Sequence, residues 1–153
     1  MKKNLILFFF SAVLILIPAG CSVLPTGEEA PLPLSGTVWR PVKLADCDLQ
    51  PAPGADVRMV FQVGSRVGGS AGDNRFFGPY RLDSGGGMKI GPLSVTWRNG
   101  PNRAYEERFL AALRLTAFYS IRGNTLTLLD EQRRETASFR GEAAFPAGSG
   151  EGR

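Results

Sequence analysis

The sequence contains no histidine, and this absence limits its chemistry more than any residue that is present. Histidine is the usual base in serine and cysteine nucleophile pairs, and it is the commonest metal ligand in proteins. The composition therefore argues against hydrolases of those types and against the usual zinc sites. We expect no catalytic residue, no metal and no cofactor, and we do not expect an enzyme.

The excess of positive over negative charge is small as well. The sequence has 18 Lys and Arg residues against 14 Asp and Glu residues, and Lys2 and Lys3 contribute to the net charge of +4. Nucleic-acid binding usually requires a much stronger basic excess on one face. We therefore expect no nucleic-acid partner.

Long hydrophobic runs are almost absent. One run covers residues 5–17 and is interrupted only by Ser11, so it is shorter than the ~20 residues of a membrane-spanning helix. Lys2 and Lys3 precede this run, and the sequence Pro-Ala-Gly-Cys follows it at residues 18–21. A basic start, a short apolar centre and small residues before a cleavage point are typical of a secretory signal peptide.

The cysteine that follows this leader indicates a particular class of signal peptide. The small residues directly before Cys21 resemble the lipobox of bacterial lipoproteins, although Pro18 stands where an aliphatic residue is usual. We expect residues 1–20 to be a lipoprotein signal peptide and Cys21 to be lipidated, with diacylglycerol on its thiol and an acyl chain such as palmitate on its amine. Two or more acyl chains anchor a protein stably to a membrane. An ordinary signal peptide cut after Ala19 is the alternative.

Cysteine occurs only twice in the chain. If Cys21 carries lipid, Cys47 has no partner for an intramolecular disulfide, which is unusual in an oxidising compartment. We interpret Cys47 as a small, partly buried residue. Asp46 and Asp48 flank it, but without histidine or a second cysteine we expect no metal site there.

The rest of the chain divides into three parts by composition. Three prolines and two glutamates in residues 21–33 predict a flexible tether that follows the lipidated cysteine. Residues 141–153 are rich in glycine and alanine and predict a disordered tail. Residues 34–140 are then one small domain.

Alternating apolar side chains predict strands through most of this domain. The predicted strands cover residues 38–42, 57–62, 66–67, 76–82, 88–90, 93–96, 117–121, 125–129 and 136–139. Pro41 suits an edge strand, Gly64 and Ser65 predict a two-residue hairpin turn, and Gly123 and Asn124 form the strongest hairpin signal.

One segment has a helical pattern instead. Tyr105, Phe109 and Leu113 repeat at i, i+4 and i+8. Capping signals in residues 99–102, including a proline at the first helical position, precede them. Glu106 and Glu107 are expected in or near the first turns, where the helix dipole favours anions. The fold class predicted is α+β, with a mostly antiparallel, curled β-sheet packed on a single α-helix.

Four motifs follow one another along the domain. Trp39 stands near the first strand, residues 90–96 read Ile-Gly-Pro-Leu-Ser-Val-Thr, and residues 119–128 read Tyr-Ser-Ile-Arg-Gly-Asn-Thr-Leu-Thr-Leu. Between the first two lies a turn motif, residues 72–80, whose positions of interest are Gly72, Asp73, Asn74, Arg75, Phe76, Gly78 and Tyr80. The order and spacing of these motifs resemble the META domain, or HslJ-like, family over residues 34–139.

The sequence departs from that family at two positions. Many members have cysteine at the places held here by Asp73 and Gly100, so we expect no thiol pairing or thiol chemistry of that kind. The turn motif is open to two interpretations, a fold-defining turn or a surface for a ligand or partner.

The individual residues of the turn motif lead to separate expectations. Its glycines allow close backbone approach. Asn74 is expected to bond to its own turn and to tolerate left-handed geometry. Arg75 is either a solvated charge or a partner of Asp73 or of a helix carboxylate. Phe76 and Tyr80 are expected in the core or at its rim.

The resemblance implies a small exported or membrane-anchored protein. Some relatives are associated with heat-shock induction, novobiocin tolerance, or motility and virulence, and no catalytic residue or cofactor carries over. We expect a non-enzymatic envelope lipoprotein that serves as a periplasmic binding module and supports envelope stress or drug tolerance. Its partners would be a membrane, through the lipid anchor, and an unknown periplasmic protein or small ligand.

Two other functions stay open. An inhibitor-type lipoprotein would block a lysozyme or a protease with an exposed loop, although such loops are usually fixed by disulfides. A hydrolase would pair Asp73 with Glu106 or Glu107. Ser22, next to the anchor, favours sorting to the outer membrane facing the periplasm, and we expect a monomer.

Overall fold

The computed structural model describes residues 30–45 and 47–142. The predicted signal peptide, Cys21, most of the tether and the tail from residue 143 onward lie outside the described residues. The described elements, in chain order, are β1 (Val38–Leu44), β2 (Val57–Gln62), β3 (Arg66–Ala71), β4 (Arg75–Leu82), β5 (Met88–Ile90), β6 (Ser94–Val95), α1 (Arg103–Arg114), β7 (Phe118–Arg122), β8 (Thr125–Leu129) and β9 (Glu135–Glu142).

The strands form one antiparallel sheet in the order β5-β4-β3-β2-β1-β9-β8-β7, and β6 pairs with β4 beside β5. The sheet curls until its two end strands meet. There the Met88 amide donates to the Ala117 carbonyl at 2.9 Å, and the Tyr119 amide donates to the Gly86 carbonyl at 3.2 Å. The described part of the chain is therefore an antiparallel sheet that nearly closes into a barrel.

The predicted antiparallel sheet with a helix is confirmed for the described residues. The α+β label understates the sheet, because its 9 strands accompany one helix of 12 residues and the domain is mostly β. The predicted curl is strong enough to bring the end strands together. Closure of this kind protects sheet edges that would otherwise be open to pairing with other strands.

Helix α1 packs its predicted apolar stripe against the inner face of the sheet. Tyr105, Phe109 and Leu113 are buried. The Phe109 ring meets Phe76 of β4 and Phe139 of β9 edge-on, with ring centroids 5.6 and 6.1 Å apart, a favourable aromatic geometry. The helix thus links two strands that are not neighbours in the sheet.

The hydrophobic core is one cluster that runs from Trp39 to Phe139. Leu32 and Leu34 pack against it, and the Leu34 carbonyl accepts a hydrogen bond from the indole nitrogen of Trp39 at 3.0 Å. The described sheet, helix and core all lie within residues 30–142 and share one hydrophobic cluster, as an independently folding domain requires. Within it, no helix is long and apolar enough to cross a membrane.

Pro41 does not lie on an edge strand, so that prediction is wrong. Strand β1 is inside the sheet, between β2 and β9. Its pairing with β2 ends at Trp39, however, and its register with β9 shifts between Pro41 and Lys43. A proline is tolerated at this irregular point because the ladder needs no amide donor from it.

The two predicted hairpin turns have different outcomes. The turn between β2 and β3 contains three residues and not two, because Gln62 pairs with Arg66. Gly64 and Ser65 still supply its left-handed backbone, with φ of 88° and 60°. The two-residue turn at residues 123–124, between β7 and β8, is confirmed.

The last strand, β9, is longer than the predicted one and reaches two residues into the predicted tail, to Glu142. Gly141 is buried, and its amide donates to the Asn124 carbonyl at 2.7 Å. A β-carbon at Gly141 would lie 2.7 Å from the Trp39 ring. The glycine therefore belongs to the packed domain, since no larger residue fits against Trp39.

Candidate functional site

The turn motif begins where the chain between β3 and β4 passes the start of α1. Gly72 has φ of 132°, and a β-carbon there would lie 2.8 Å from the Asn102 β-carbon. Only glycine allows both this backbone conformation and this approach. The motif is thus held directly against the first turn of the helix.

Asp73 caps the helix from outside it. Its carboxylate oxygens accept hydrogen bonds from the backbone amide and the side-chain amide of Asn102, at 2.8 and 2.9 Å. Asn102 itself provides no side-chain cap, contrary to the prediction, and its oxygen accepts from the Ala52 amide at 2.7 Å. The helix begins at Arg103, so Pro101 precedes the cap and does not occupy the first helical position.

Asn74 and Glu106 form a buried hydrogen-bonded pair. The backbone amide of Asn74 donates to one carboxylate oxygen at 2.6 Å, and its side-chain amide donates to the other at 2.8 Å. Glu106 lies in the first turn of α1, as predicted, but it is only 5% exposed, which was not predicted. Its position four residues before Leu110 and seven before Leu113, on the buried face, is the signal that could have revealed it.

The side chain of Asn74 also holds a segment far from it in sequence. Its amide nitrogen donates to the Arg98 carbonyl at 3.0 Å, and its oxygen accepts from the Arg98 amide at 2.7 Å and from the Thr96 hydroxyl at 3.1 Å. Both donor hydrogens and both acceptor positions of the amide are thereby used. The side chain of Asn74 therefore does not bond to its own turn, and its φ is not positive, so that expectation is wrong for the side chain. Only its backbone carbonyl bonds within the turn, where it accepts from the Ala71 amide at 2.8 Å.

These bonds fix the backbone on both sides of Trp97. Thr96 is held further because its amide donates to the Arg75 carbonyl and its hydroxyl accepts from the Arg75 amide, each at 3.0 Å. Trp97 itself is 84% exposed. Its ring lies 5.8 Å from the guanidinium of Arg103, within reach of a cation–π interaction.

A groove of about 210 Å³ runs beside this segment, between β6 and α1. Val95, Trp97 and Leu110 provide its apolar walls, and Arg103 and Arg114 of the helix lie along it. We call residues 96–98 and this groove the Trp97 platform. The sequence interpretation missed it, although a tryptophan placed between a strand and a helix, outside every apolar repeat, was a usable signal.

The remaining residues of the turn motif are structural. Arg75 is exposed and forms no ion pair among the described residues, so it is the solvated charge of the two alternatives. Phe76 and Tyr80 are buried in the core. A β-carbon at Gly78 would lie 2.6 Å from the Pro92 carbonyl oxygen. Together these residues position the platform without forming part of its surface.

The carboxylates considered for hydrolysis have other partners in this arrangement. Asp73 binds Asn102, Glu106 binds Asn74, and Glu107 is exposed and pairs with Arg103 at 3.2 Å. Within residues 30–45 and 47–142, no three cysteine or acidic side chains are grouped so that they could hold a metal ion.

Cys47 is half-buried, as predicted, and lines a cavity of about 560 Å³ together with Tyr105. Burial raises the pKa of Tyr105 to about 12, and the neighbouring Cys47 charge adds to this effect. The phenol is therefore neutral over the physiological range and packs as part of the helix stripe.

Known structures share this architecture. An NMR structure of a protein from Burkholderia xenovorans is 23% identical and has a TM-score of 0.57, covering 71% of this chain and 83% of that one. A crystal structure of a DUF4847 family protein from Bacteroides vulgatus is 16% identical with a TM-score of 0.55, covering 72% of this chain and 95% of that one. Likeness at these identities concerns the fold alone.

No curated protein matches the chain. The family model of the META domain matches residues 32–143, a span that includes the whole sheet, the helix and the turn motif. The chain therefore belongs to the META domain family.

Proposed function

We propose that this META-domain protein is a non-enzymatic binding module of the bacterial cell envelope, anchored by lipid at Cys21, which binds a protein partner through the Trp97 platform. The observation that carries the proposal is an 84% exposed tryptophan on a backbone fixed from both sides by Asn74. The family resemblance adds a role in envelope stress or drug tolerance. The protein is a monomer that faces the periplasm from the outer membrane in this proposal.

A fixed, exposed tryptophan is costly unless something covers it. Its indole leaves a large apolar surface in water. Tryptophan and arginine are the residues that most often dominate binding energy at protein interfaces. Because the Asn74 bonds already order residues 96–98, a partner that covers Trp97 loses little further conformational entropy on binding.

The charges around the tryptophan restrict the partner. Arg98, Arg103 and Arg114 lie on or beside the platform, and Glu107 neutralises only Arg103 within the described residues. A complementary partner would offer an apolar socket for the indole ring with acidic groups around it. A periplasmic protein surface satisfies this description better than a nucleic acid, which export of the chain would also keep away.

The experiment uses residues 30–142 as bait against an envelope extract. We expect a stoichiometric partner to be retained by the wild-type domain and by Val63→Ala, which alters an exposed apolar residue on a distant turn. Trp97→Ala should lose it, with affinity reduced at least about thirtyfold, as for a ~2 kcal/mol hot spot. The purified partner should then shift the fluorescence of Trp97. Equal retention by Trp97→Ala would contradict the proposal.

An inhibitor of a lysozyme or a protease is the second candidate. Inhibitor loops are usually fixed by disulfides, and here hydrogen bonds from Asn74 and Arg75 fix residues 96–98 in their place. The same extract experiment separates the two functions. A captured lysozyme or protease that loses activity at equimolar domain favours the inhibitor, and a partner without such activity favours the binding module.

A further inference from the structure

A second feature lies on another part of the molecule, where the barrel nearly closes. Beside the contact between β5 and β7 a cavity of about 630 Å³ opens, which is within the usual size range of small-ligand sites. Strands β4 and β5 and the last turn of α1 contribute its walls. It contains neither Trp97 nor any residue of the turn motif.

The cavity brings together basic side chains from three elements. Arg81 of β4 and Lys89 of β5 are directly opposite each other in the strand register, and Arg114 of α1 lines the same space. Like charges directly opposite across two strands are destabilising. None of the three forms an ion pair among the described residues.

Acidic residues of the cavity are mostly engaged elsewhere. Asp83 accepts hydrogen bonds from the Gly85 and Gly87 amides at 3.0 and 2.7 Å. Asp130 pairs with Arg134 at 2.8 Å. Those glycine amides are uncharged and leave the charge of Asp83 in place, so Asp83 and Glu131 stand against three basic groups, Arg81, Lys89 and Arg114. A positive charge is left that an anion could neutralise.

Apolar surface lies next to these charges. Leu82 is 47% exposed and Leu115 is 62% exposed, and both line the cavity with Met88. A purely ionic ligand would leave these leucines in water, whereas a ligand with a hydrocarbon part would cover them.

We infer that this cavity is a binding site for an amphiphilic anion, a carboxylate or phosphate group joined to a hydrocarbon chain. The anionic group lies between Arg81, Lys89 and Arg114 and relieves their repulsion. The hydrocarbon part covers Leu82 and Leu115. Arg114 also lines the groove of the Trp97 platform, but the other lining residues differ, and the site does not depend on the function proposed for the platform.

The test is a titration of residues 30–142 followed by NMR, with every probe below its micelle concentration. Decanoate should give saturable shifts at Met88, Lys89 and Leu115. Acetate has the charge without the chain, and decyltrimethylammonium has the chain with the opposite charge, so both should bind at least about tenfold more weakly. Equal binding of either control would overturn the inference.

A pair of variants tests the assigned residues. Arg81→Gln with Lys89→Gln should weaken decanoate binding at least about tenfold. Arg75→Gln with Arg108→Gln removes the same charge from exposed positions outside the cavity and should leave binding within about twofold. An unchanged affinity in the first variant, or an equal loss in the second, would overturn the assignment.

Two anionic probes identify the source of the ligand. Decanoate represents a free fatty acid, and dihexanoyl phosphatidic acid represents a lipid headgroup with its chains. Saturable binding of either supports the site, and the tighter one indicates the source. If neither produces saturable shifts in the cavity, the inference is wrong.

Discussion

At the scale of single residues, Asn74 connects three segments of the described structure. Its backbone and side chain bind Glu106 in the helix, and its side chain also binds Thr96 and Arg98 before it. One amide therefore joins the start of β4, the approach to the helix and the helix itself. A side chain with both donors and acceptors is required, since the carboxylate of Glu106 needs donors and the Arg98 amide needs an acceptor.

Asn74→Ala should lower the free energy of unfolding by about 2–4 kcal/mol, because the buried Glu106 carboxylate and the Arg98 backbone lose their partners. Urea unfolding measures this change. The neighbouring exposed residue provides the control, and Arg75→Ala should stay within about 0.5 kcal/mol of wild type. Partner binding through Trp97 should fall with Asn74→Ala, since residues 96–98 are no longer fixed. A variant as stable as wild type would show that water replaces these bonds without cost.

At the scale of elements, α1 is held by both packing and capping. Its stripe fills the centre of the curled sheet, and Asp73 and Asn74 hold its first turn. The hairpin between β8 and β9 is held differently, because its turn contains little apolar surface and depends on Asp130.

Phe109→Ala should cost about 3–5 kcal/mol, because it removes a fully buried ring between Phe76 and Phe139 and leaves a cavity. Arg108→Ala changes an exposed residue one position earlier and should cost less than about 0.5 kcal/mol. Urea unfolding of both variants measures these changes in the free energy of unfolding. If Phe109→Ala melted like wild type, the helix would not be the centre of the core.

The Asp130 turn should make stability dependent on pH. Burial alone raises the pKa of Asp130, but hydrogen bonds from the backbone and side chain of Arg134 and from the Gln132 amide outweigh it, so this pKa lies below its ordinary value. The stabilisation is then present above the unfolded pKa of about 3.9 and is lost as the pH falls through the lower folded value.

Asp130→Asn should therefore unfold at a lower urea concentration than wild type at pH 7, and this difference should shrink as the pH falls below about 4. Glu131→Gln alters the next residue, which makes none of these bonds, and should follow wild type at both pH values. A constant difference at all pH values would show that the charge of Asp130 is not the stabilising feature.

At the scale of the whole molecule, the anchor that we propose lies outside the described domain. The described core lies within residues 30–142, and the proposed anchor lies at Cys21. Membrane attachment should then depend on lipid alone. The Trp97 platform and the anionic cavity would both remain available to periplasmic partners of an anchored domain.

Cys21→Ser should abolish membrane association and leave the domain folded, because the lipid supplies all of the anchoring. Cys47→Ser is the matched control and should stay with the membrane. Globomycin-sensitive processing and partitioning into a detergent phase measure the effect in cells that express the full chain. Retention of the Cys21→Ser protein on washed membranes would contradict the lipid anchor.

Local patterns in the sequence located the strands, the helix and the family, but not every strand end, since β3 continues to Ala71 and β9 to Glu142 beyond their predicted ranges. Alternation of apolar residues reports which face of a strand is buried, and the spacing of Tyr105, Phe109 and Leu113 reports the buried face of a helix. The turn at residues 123–124 follows from backbone preferences. Each of these features depends on residues that are close together in the chain.

The tertiary structure decided what distant residues do to one another. The side-chain partners of Asn74 lie 22–32 residues away, and only the meeting of β4 with α1 makes Glu106 a buried acceptor. Contacts between distant residues also decide the position of Pro41 inside the sheet, the contact between β5 and β7, and the exposure of Trp97. Local patterns cannot contain this information, because long-range pairing depends on how the whole chain closes around one core.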